Sequence, residues 1–319
     1  MSPRAVVTGA AGFIGSHLAE SLVRDGYEVL GIDCFTDYYA RELKERNLVA
    51  LREEPGFRLV EGRLQDLALE PLLEGAVHVY HLAAQAGVRA SWGREFALYT
   101  DHNVLASQRL LEAAVAAGRP RFVYASSSSV YGDSQEMPLR EDGPCRPVSP
   151  YGVTKLAAEH LAVLYHRNLG LPTVSLRFFT VYGPRQRPDM AFNRFLTAAR
   201  DSGTVSLFGD GLQTRDFTYV DDIVAAVRAA ALSGRPGSVY NVGGGERIAL
   251  NDVLHLVERV TARPLRIQRQ EAQKGDMRDT FADTSAAARD LGFRSSVSLR
   301  DGLARQWAWL QEQRYGAGH

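Results

Sequence analysis

The sequence predicts an α/β fold, a doubly wound parallel sheet followed by a smaller C-terminal α/β domain. Three observations predict it. Short apolar runs of strand type alternate with helix-period segments up to about residue 180, and such alternation puts helices on both faces of a parallel sheet. The run "VTGAAGFIGSHL" sets three glycines at the join of the first strand and the first helix. Beyond residue 180 the texture changes to stretches rich in Gly, Pro, Arg and Asp, such as "YGPRQRPD" and "FGDGLQTRDF".

The elements follow in order. "AVVT" (5–8), "EVLGID" (28–33), "FRLVEG" (57–62), "VHVYHLAA" (77–84), "RFVYASS" (121–127) and "TVSLRFF" (173–179) read as buried strands. Phe13, Ile14, His17, Leu18 and Leu22 fall on one helical stripe, as do Val104, Leu110, Leu111 and Val115. Residues 1–180 are expected to form the first domain, which also receives part of 212–240, and 181–319 most of the second. The chain closes on the helix-like "LRDGLARQWAWLQEQ", whose Trp307 and Trp309 read as core anchors.

Composition narrows the function. At 319 residues, 45% hydrophobic and 23% charged, the chain can bury a sizeable core. Its 37 basic residues balance 37 acidic ones, which argues against nucleic acid or an anionic membrane as the main partner. No apolar run approaches membrane-spanning length, and the opening "MSPRAVVTGAAGFIG" lacks the layout of a signal peptide. Cys34 and Cys145 have no metal-ligand spacing. A soluble cytoplasmic protein with reduced thiols and no metal is expected.

Gly9, Gly12 and Gly15 follow the first strand and open a helix. In a Rossmann-like site the first glycine allows the sharp turn, the second lets backbone approach a pyrophosphate, and the third packs helix on strand. The helix N-terminus then offers free N–H groups to the phosphates. The second strand ends at Asp33, where a carboxylate can accept from both ribose hydroxyls and repels a 2′-phosphate. The expected cofactor is therefore NAD rather than NADP. After the third strand, Asp66 and Leu67 are candidates to contact the adenine.

"SPYGVTKLAAEH" sets Tyr151 and Lys155 four residues apart, on one helix face. A phenol titrating near 10 is a poor base at neutral pH, and a neighbouring ammonium is expected to lower it. Such a tyrosine can take a proton from a hydroxyl while hydride leaves its carbon. Between the glycine loop and this helix stands "YASSSSVYG".

These stretches, with "HLAAQAGVRAS" and "RFFTVYGPRQRPDMA", resemble the extended short-chain dehydrogenase/reductases of the nucleotide-sugar epimerase and dehydratase group, from Thr8 to about Gly292. The resemblance implies NAD held by Gly9, Gly12, Phe13, Ile14, Gly15, Asp33, Asp66, Leu67, Ala83, Tyr151 and Lys155, and a catalytic set of Ser127, Tyr151 and Lys155. It implies a nucleoside-diphosphate sugar oxidised at C4, with Arg89, Arg215 and Arg278 on the diphosphate and nucleoside, and Thr180, where relatives carry Asn, near the sugar–phosphate linkage. A homodimer through helices at about 101–117 and 151–169 is also implied.

Dehydratases of the group resemble "TDEVYG" at the strand end, where this sequence has Ser128 and Ser129. Hydroxyls cannot do the proton chemistry that elimination requires of carboxylates, which leaves 4-epimerisation. "DCFTDYYARELKERNL", "QAGVR" and "KGDMRDTFADTS" resemble the UDP-glucuronate 4-epimerases. A glucuronate carboxylate needs a cation and hydrogen bonds on burial, and Arg185, Ser128 and Ser129 are the candidates. Thr280 stands where a bulky Tyr closes the pocket of UDP-glucose epimerases, which suits glucuronate but also an N-acetyl sugar. The alternatives are a UDP-glucose or UDP-N-acetylglucosamine 4-epimerase and, behind them, a UDP-glucuronate decarboxylase.

Overall fold

In the computed structural model, residues 2–271 and 273–315 are described; the last four positions of the 181–319 segment lie outside them. Strand β1 (Arg4–Thr8) leads through helix α1 (Phe13–Arg24) to β2 (Glu28–Asp33), a short helix α2 (Arg41–Arg46) and β3 (Phe57–Glu61). Strand β4 (Ala76–His81), α3 (Ala106–Ala116), β5 (Arg121–Ser127), α4 (Pro150–Leu169) and β6 (Thr173–Phe178) complete the expected alternation. All pair in parallel.

A seventh parallel strand comes from late in the chain. After β7 (Thr180–Tyr182), α5 (Ala191–Asp201), β8 (Thr204–Phe208) and β9 (Thr214–Tyr219), helix α6 (Val220–Ser233) packs back on α1 and on strands β5 and β6. Strand β10 (Val239–Val242) then pairs with β6, giving the sheet order β3-β2-β1-β4-β5-β6-β10. The order reverses between β1 and β4, and in such sheets the ligand crevice opens at the strands' C-terminal ends there. Strands β7 and β9 join β11 (Arg247–Ala249) in a three-stranded sheet, and β8 pairs with β12 (Arg266–Gln270). Helices α7 (Leu250–Thr261) and α8 (Leu299–Tyr315) pack on each other and on α5. One apolar core runs from Ala5 and Val7 on β1 to Trp307 on α8, with Trp309 packed at its edge.

Helix α4 has local signals at both ends. The Ser149 hydroxyl accepts from Gly152 N–H at 3.1 Å, Pro150 opens the first turn, and Gly170 closes it with φ 69°. Two expected elements differ in extent by more than one residue. Strand β4 stops at His81 rather than 84, because the chain then crosses over Gly9, and a Cβ there would lie 2.8 Å from Ala83 N. Val104 lies in a wider-turned π segment, Thr100–Leu105, ahead of α3. There the Asn103 side chain bonds Gln85 N–H at 2.7 Å and Thr154 Oγ1 at 3.0 Å, tying that segment to α4.

Candidate active site

The cofactor cleft is built from backbone. Gly9 takes φ +72°, and a Cβ on Gly15 would fall 2.0 Å from the Gly9 carbonyl oxygen. A side chain at Gly15 would push α1 away from the end of β1, and one at Gly9 would strike the chain at Leu82 and Ala83 that crosses beneath the cradle. Asp33, at the end of β2, accepts from Ala11 N–H at 3.0 Å and from Phe35 N–H at 2.9 Å. Burial raises its pKa against those two bonds. The cleft, about 220 Å³ in volume, is lined by the predicted Gly9, Gly12, Phe13, Ile14, Gly15, Asp33, Ala83, Tyr151 and Lys155. A glycine cradle, a carboxylate at the end of the second strand and a buried tyrosine–lysine pair in one cleft fit NAD.

Several lining residues have no sequence signal of their own. Thr36, Tyr38, Tyr39 and Lys44 wall the side beyond β2, and Lys44 Nζ is fixed by Thr36 O at 2.5 Å and stands over the Tyr39 ring at 4.7 Å. After β3 the lining is Gly62, Leu64 and Gln65, not the expected Asp66 and Leu67. The chain turns tightly there: Asp66 and Leu67 N–H groups both bond Arg63 O. Asp66 faces Arg63 at 3.6 Å with its side chain 64% exposed, while Leu67 packs on Gly62.

At the other end, β5 delivers Ser127 beside Tyr151. The Ser127 hydroxyl accepts from Ser129 N–H at 3.1 Å and lies close enough to the Tyr151 phenol to draw its pKa down. Burial pushes the Tyr151 pKa up, and the groups that draw it back down are Ser127 and the Arg187 guanidinium. Lys155 is not among them, and burial pushes Lys155 itself down to about 7. Ser128 is buried in the turn that follows, with Ser129 half-buried. Ser126 donates to buried Glu159 at 2.6 Å. His81 bonds Thr8 and Ser107, both at 2.8 Å, as a packing residue does; His102 lines the cleft.

Arg185 is a correction. It sits at φ +64°, which swings its side chain to α1, where it pairs with Glu20 at 2.6 Å and bonds Ser16 Oγ. Arg187, two residues on, lines the cleft. Its fork is held by Asp189 at 3.0 Å through both Nε and Nη2, and Asp189 also accepts from Tyr38 at 3.1 Å.

The other arginines gather on the far side, outside that lining. Arg89 pairs with Asp276 at 2.6 Å and stacks on Phe208. Arg215 donates to the Arg278 carbonyl at 2.9 Å, and Arg278 pairs with Asp210 at 3.2 Å. Thr180 opens β7 opposite Phe217. Thr280 is fully buried against Asp216 N–H rather than facing the cleft.

A family model described as the NAD dependent epimerase/dehydratase family matches residues 5–243. An uncharacterised UDP-glucose epimerase of Bacillus subtilis, YtcB, is 44% identical over 309 residues, spanning 96% of this chain and 97% of that one. The UDP-glucuronate 4-epimerase of Thermodesulfobacterium geofontis is 37% identical over 312 residues, 96% of each chain. The crystal structure of the Bacillus cereus UDP-glucuronic acid 4-epimerase, in complex with UDP-glucuronic acid and NAD, matches at TM-score 0.94 and 40% identity, over 97% of this chain and 99% of that one. With its glycine cradle, its Ser127–Tyr151–Lys155 cluster and matches of this extent, the chain belongs to the NAD-dependent epimerase/dehydratase family.

Proposed function

We propose that the protein is an NAD-dependent 4-epimerase that interconverts UDP-glucuronate and UDP-galacturonate. The observation that carries this is the wall around Tyr151. It has the Ser127 hydroxyl and the Arg187 guanidinium acting on the phenol, with serines rather than carboxylates at 128 and 129.

Bound NAD supplies the acceptor that takes a hydride from C4 and returns it to the opposite face. Tyr151 takes the C4 hydroxyl proton and later gives it back, while Ser127 hydrogen-bonds the same oxygen. Lys155 holds the cofactor ribose beside them, and Asp33 takes the adenosine ribose. Hydroxyls at 128 and 129 have no carboxylate chemistry with which to eliminate water from C6. Arg187 offers a charge-assisted fork to the C6 carboxylate, with Ser128 and Ser129 as further donors. The fork has a second use. A 4-keto glucuronate is a β-keto acid, and holding its carboxylate out of line with the carbonyl π system suppresses loss of CO₂. Arg89, Arg215 and Arg278 are assigned to the diphosphate and nucleoside, and Thr180 to the sugar–phosphate side, with residues 181–319 supplying most of that wall.

We further propose a cytoplasmic homodimer. Leu98 and Leu105 around the π segment, and Val153 and Leu164 on α4, are 38–49% exposed and would be covered by a second copy. Cys34 and Cys145 are free, as suits a reducing compartment. A second reading, epimerisation of neutral UDP-glucose, is favoured by the description of the Bacillus subtilis relative.

The test incubates purified protein with UDP-glucuronate, UDP-glucose and UDP-N-acetylglucosamine, following C4 by NMR and the headspace for CO₂. Galacturonate without CO₂ is expected. A pentose product, or turnover of neutral sugars alone, would overturn the proposal.

A further inference from the structure

Behind the reacting groups lies a charged network that the mechanism above does not use. Glu159 stands one turn beyond Lys155 on α4, on the same face, with its side chain 2% exposed. It accepts from Ser126 Oγ at 2.6 Å and from Arg177 at 3.0 Å (Nε) and 2.7 Å (Nη2). Arg177, on β6, also lies over the Tyr131 ring at 4.7 Å, and Tyr131 donates to Asn241 of β10 at 2.7 Å. The carboxylate thus ties the helix carrying Tyr151 and Lys155 to the strand carrying Ser126 and Ser127. A buried ion pair is expensive to desolvate and is weak evidence for stability, so its presence here asks for another use.

We propose that Glu159 is a positioning residue for the reaction: it locks α4 in register with the end of β5 and is the counter-charge that keeps Lys155 an ammonium. The inference rests on the catalytic reading of Tyr151 and Lys155. Lys155 is buried, its Nζ 4.5 Å from the centre of the Tyr124 ring. The titratable groups around it are few. Tyr151 and Glu159 share its helix, Tyr124 lies on β5, and His81 on β4 is held neutral by burial and by Lys155 itself, its pKa near 3. On the segments packed against α4, Tyr99 stacks edge-on with Tyr151, Asp101 pairs with Arg63, and His102 lines the cleft. Burial pushes Lys155 down to about 7, and Glu159 is the group that pulls it up.

The chain has three lysines, Lys44, Lys155 and Lys274, so ¹³Cε-lysine labelling of the NAD-loaded protein gives a short, assignable spectrum. In Glu159→Gln, the Lys155 titration midpoint is expected to fall by about one pH unit, the order of a single charge interaction in a protein interior. The alkaline limb of kcat/KM should fall with it, while Glu159→Asp restores both. Glu159→Gln/Arg177→Gln removes the whole pair and guards against misfolding of the single variant. It should recover thermal stability yet keep the displaced midpoint. An unmoved midpoint in Glu159→Gln, or a midpoint recovered together with stability in the double variant, overturns the inference. Failure to turn over any UDP-sugar would sink the function proposed above but leave the lysine titration readable.

Discussion

The two ends of the cleft are built from different materials. At the glycine end the working groups are backbone, and their positions follow from close packing of Gly9, Gly12 and Gly15 between β1 and α1. At the far end, and on the side beyond it, they are arginines, each held by an aspartate: Arg89 by the distant Asp276, Arg278 by the distant Asp210, and Arg187 by Asp189 within its own turn. A backbone cradle cannot adapt to a side chain, whereas an arginine fork can lose its partner and refold around an anion. The first end should therefore tolerate almost nothing, and the second should fail in graded, ligand-specific ways.

The largest expected effect breaks the cradle. In Gly15→Ala, the new Cβ meets backbone at 2.0 Å rather than a movable side chain. A loss of about 3 kcal/mol, the upper part of the range for overpacking, is expected, together with loss of NAD binding. Urea unfolding and fluorescence titration with NAD measure the two. Tight NAD binding by a normally stable Gly15→Ala protein would refute the packing argument.

Next comes Arg187. Arg187→Ala should cut kcat/KM for UDP-glucuronate about a hundredfold, the scale of losing a charge-assisted fork, while altering any UDP-glucose turnover far less. Arg185→Ala, which loses only the Glu20 and Ser16 contacts, should change thermal stability slightly and leave kinetics alone. If the two variants behaved the other way round, the carboxylate would sit elsewhere.

That pair marks the limit of what the sequence reveals. Strands 28–33 and 121–127 match their expected bounds, because a buried parallel strand is a bounded apolar run that needs no context. The glycine loop and the Tyr151–Lys155 spacing are equally local. Arg185 and Arg187 lie two residues apart in one turn, and which of them faces the cleft depends on the positive φ at Arg185, a backbone choice no composition encodes. The shift from Asp66 and Leu67 to Leu64 and Gln65 has the same origin in a tight turn. Lys44, Tyr38 and Asp189 enter through long-range packing, and β10 is only four residues long. The Glu159–Arg177 pair joins helix and strand across eighteen residues and carries no motif of its own.

A smaller effect tests the cradle end through pH. His81, bonded on both sides in the core, has its pKa pushed down to about 3 by burial, then by Lys155. The unfolded chain binds a proton below about 6.5 that the native core refuses. Its contribution is therefore intact above that pH and lost as pH falls towards 3. Between pH 7 and pH 5 this single group should remove about 2 kcal/mol. Urea unfolding of the wild type and of His81→Asn at both pH values isolates it, and an equal slope in the two proteins would assign the loss to other groups.

The smallest effect belongs to the exposed rim of the arginine end. Arg278 is 59% and Asp210 48% exposed in their side chains, and a solvent-screened pair of that kind adds little to stability. Arg278→Ala should leave the melting temperature unchanged. If Arg278 reaches the nucleotide rather than the sugar, the variant should raise KM a few-fold, and by the same factor for UDP-glucuronate and for any neutral UDP-sugar turned over. Inhibition by UDP alone should weaken in step, and both effects should shrink as salt is added. Arg187 is expected to discriminate between sugars and Arg278 not to, so measuring both variants on both substrates separates the part of the site that reads the carboxylate from the part that holds the nucleotide. A sugar-dependent Arg278→Ala would merge the two and remove the distinction between a graded rim and a selective inner wall.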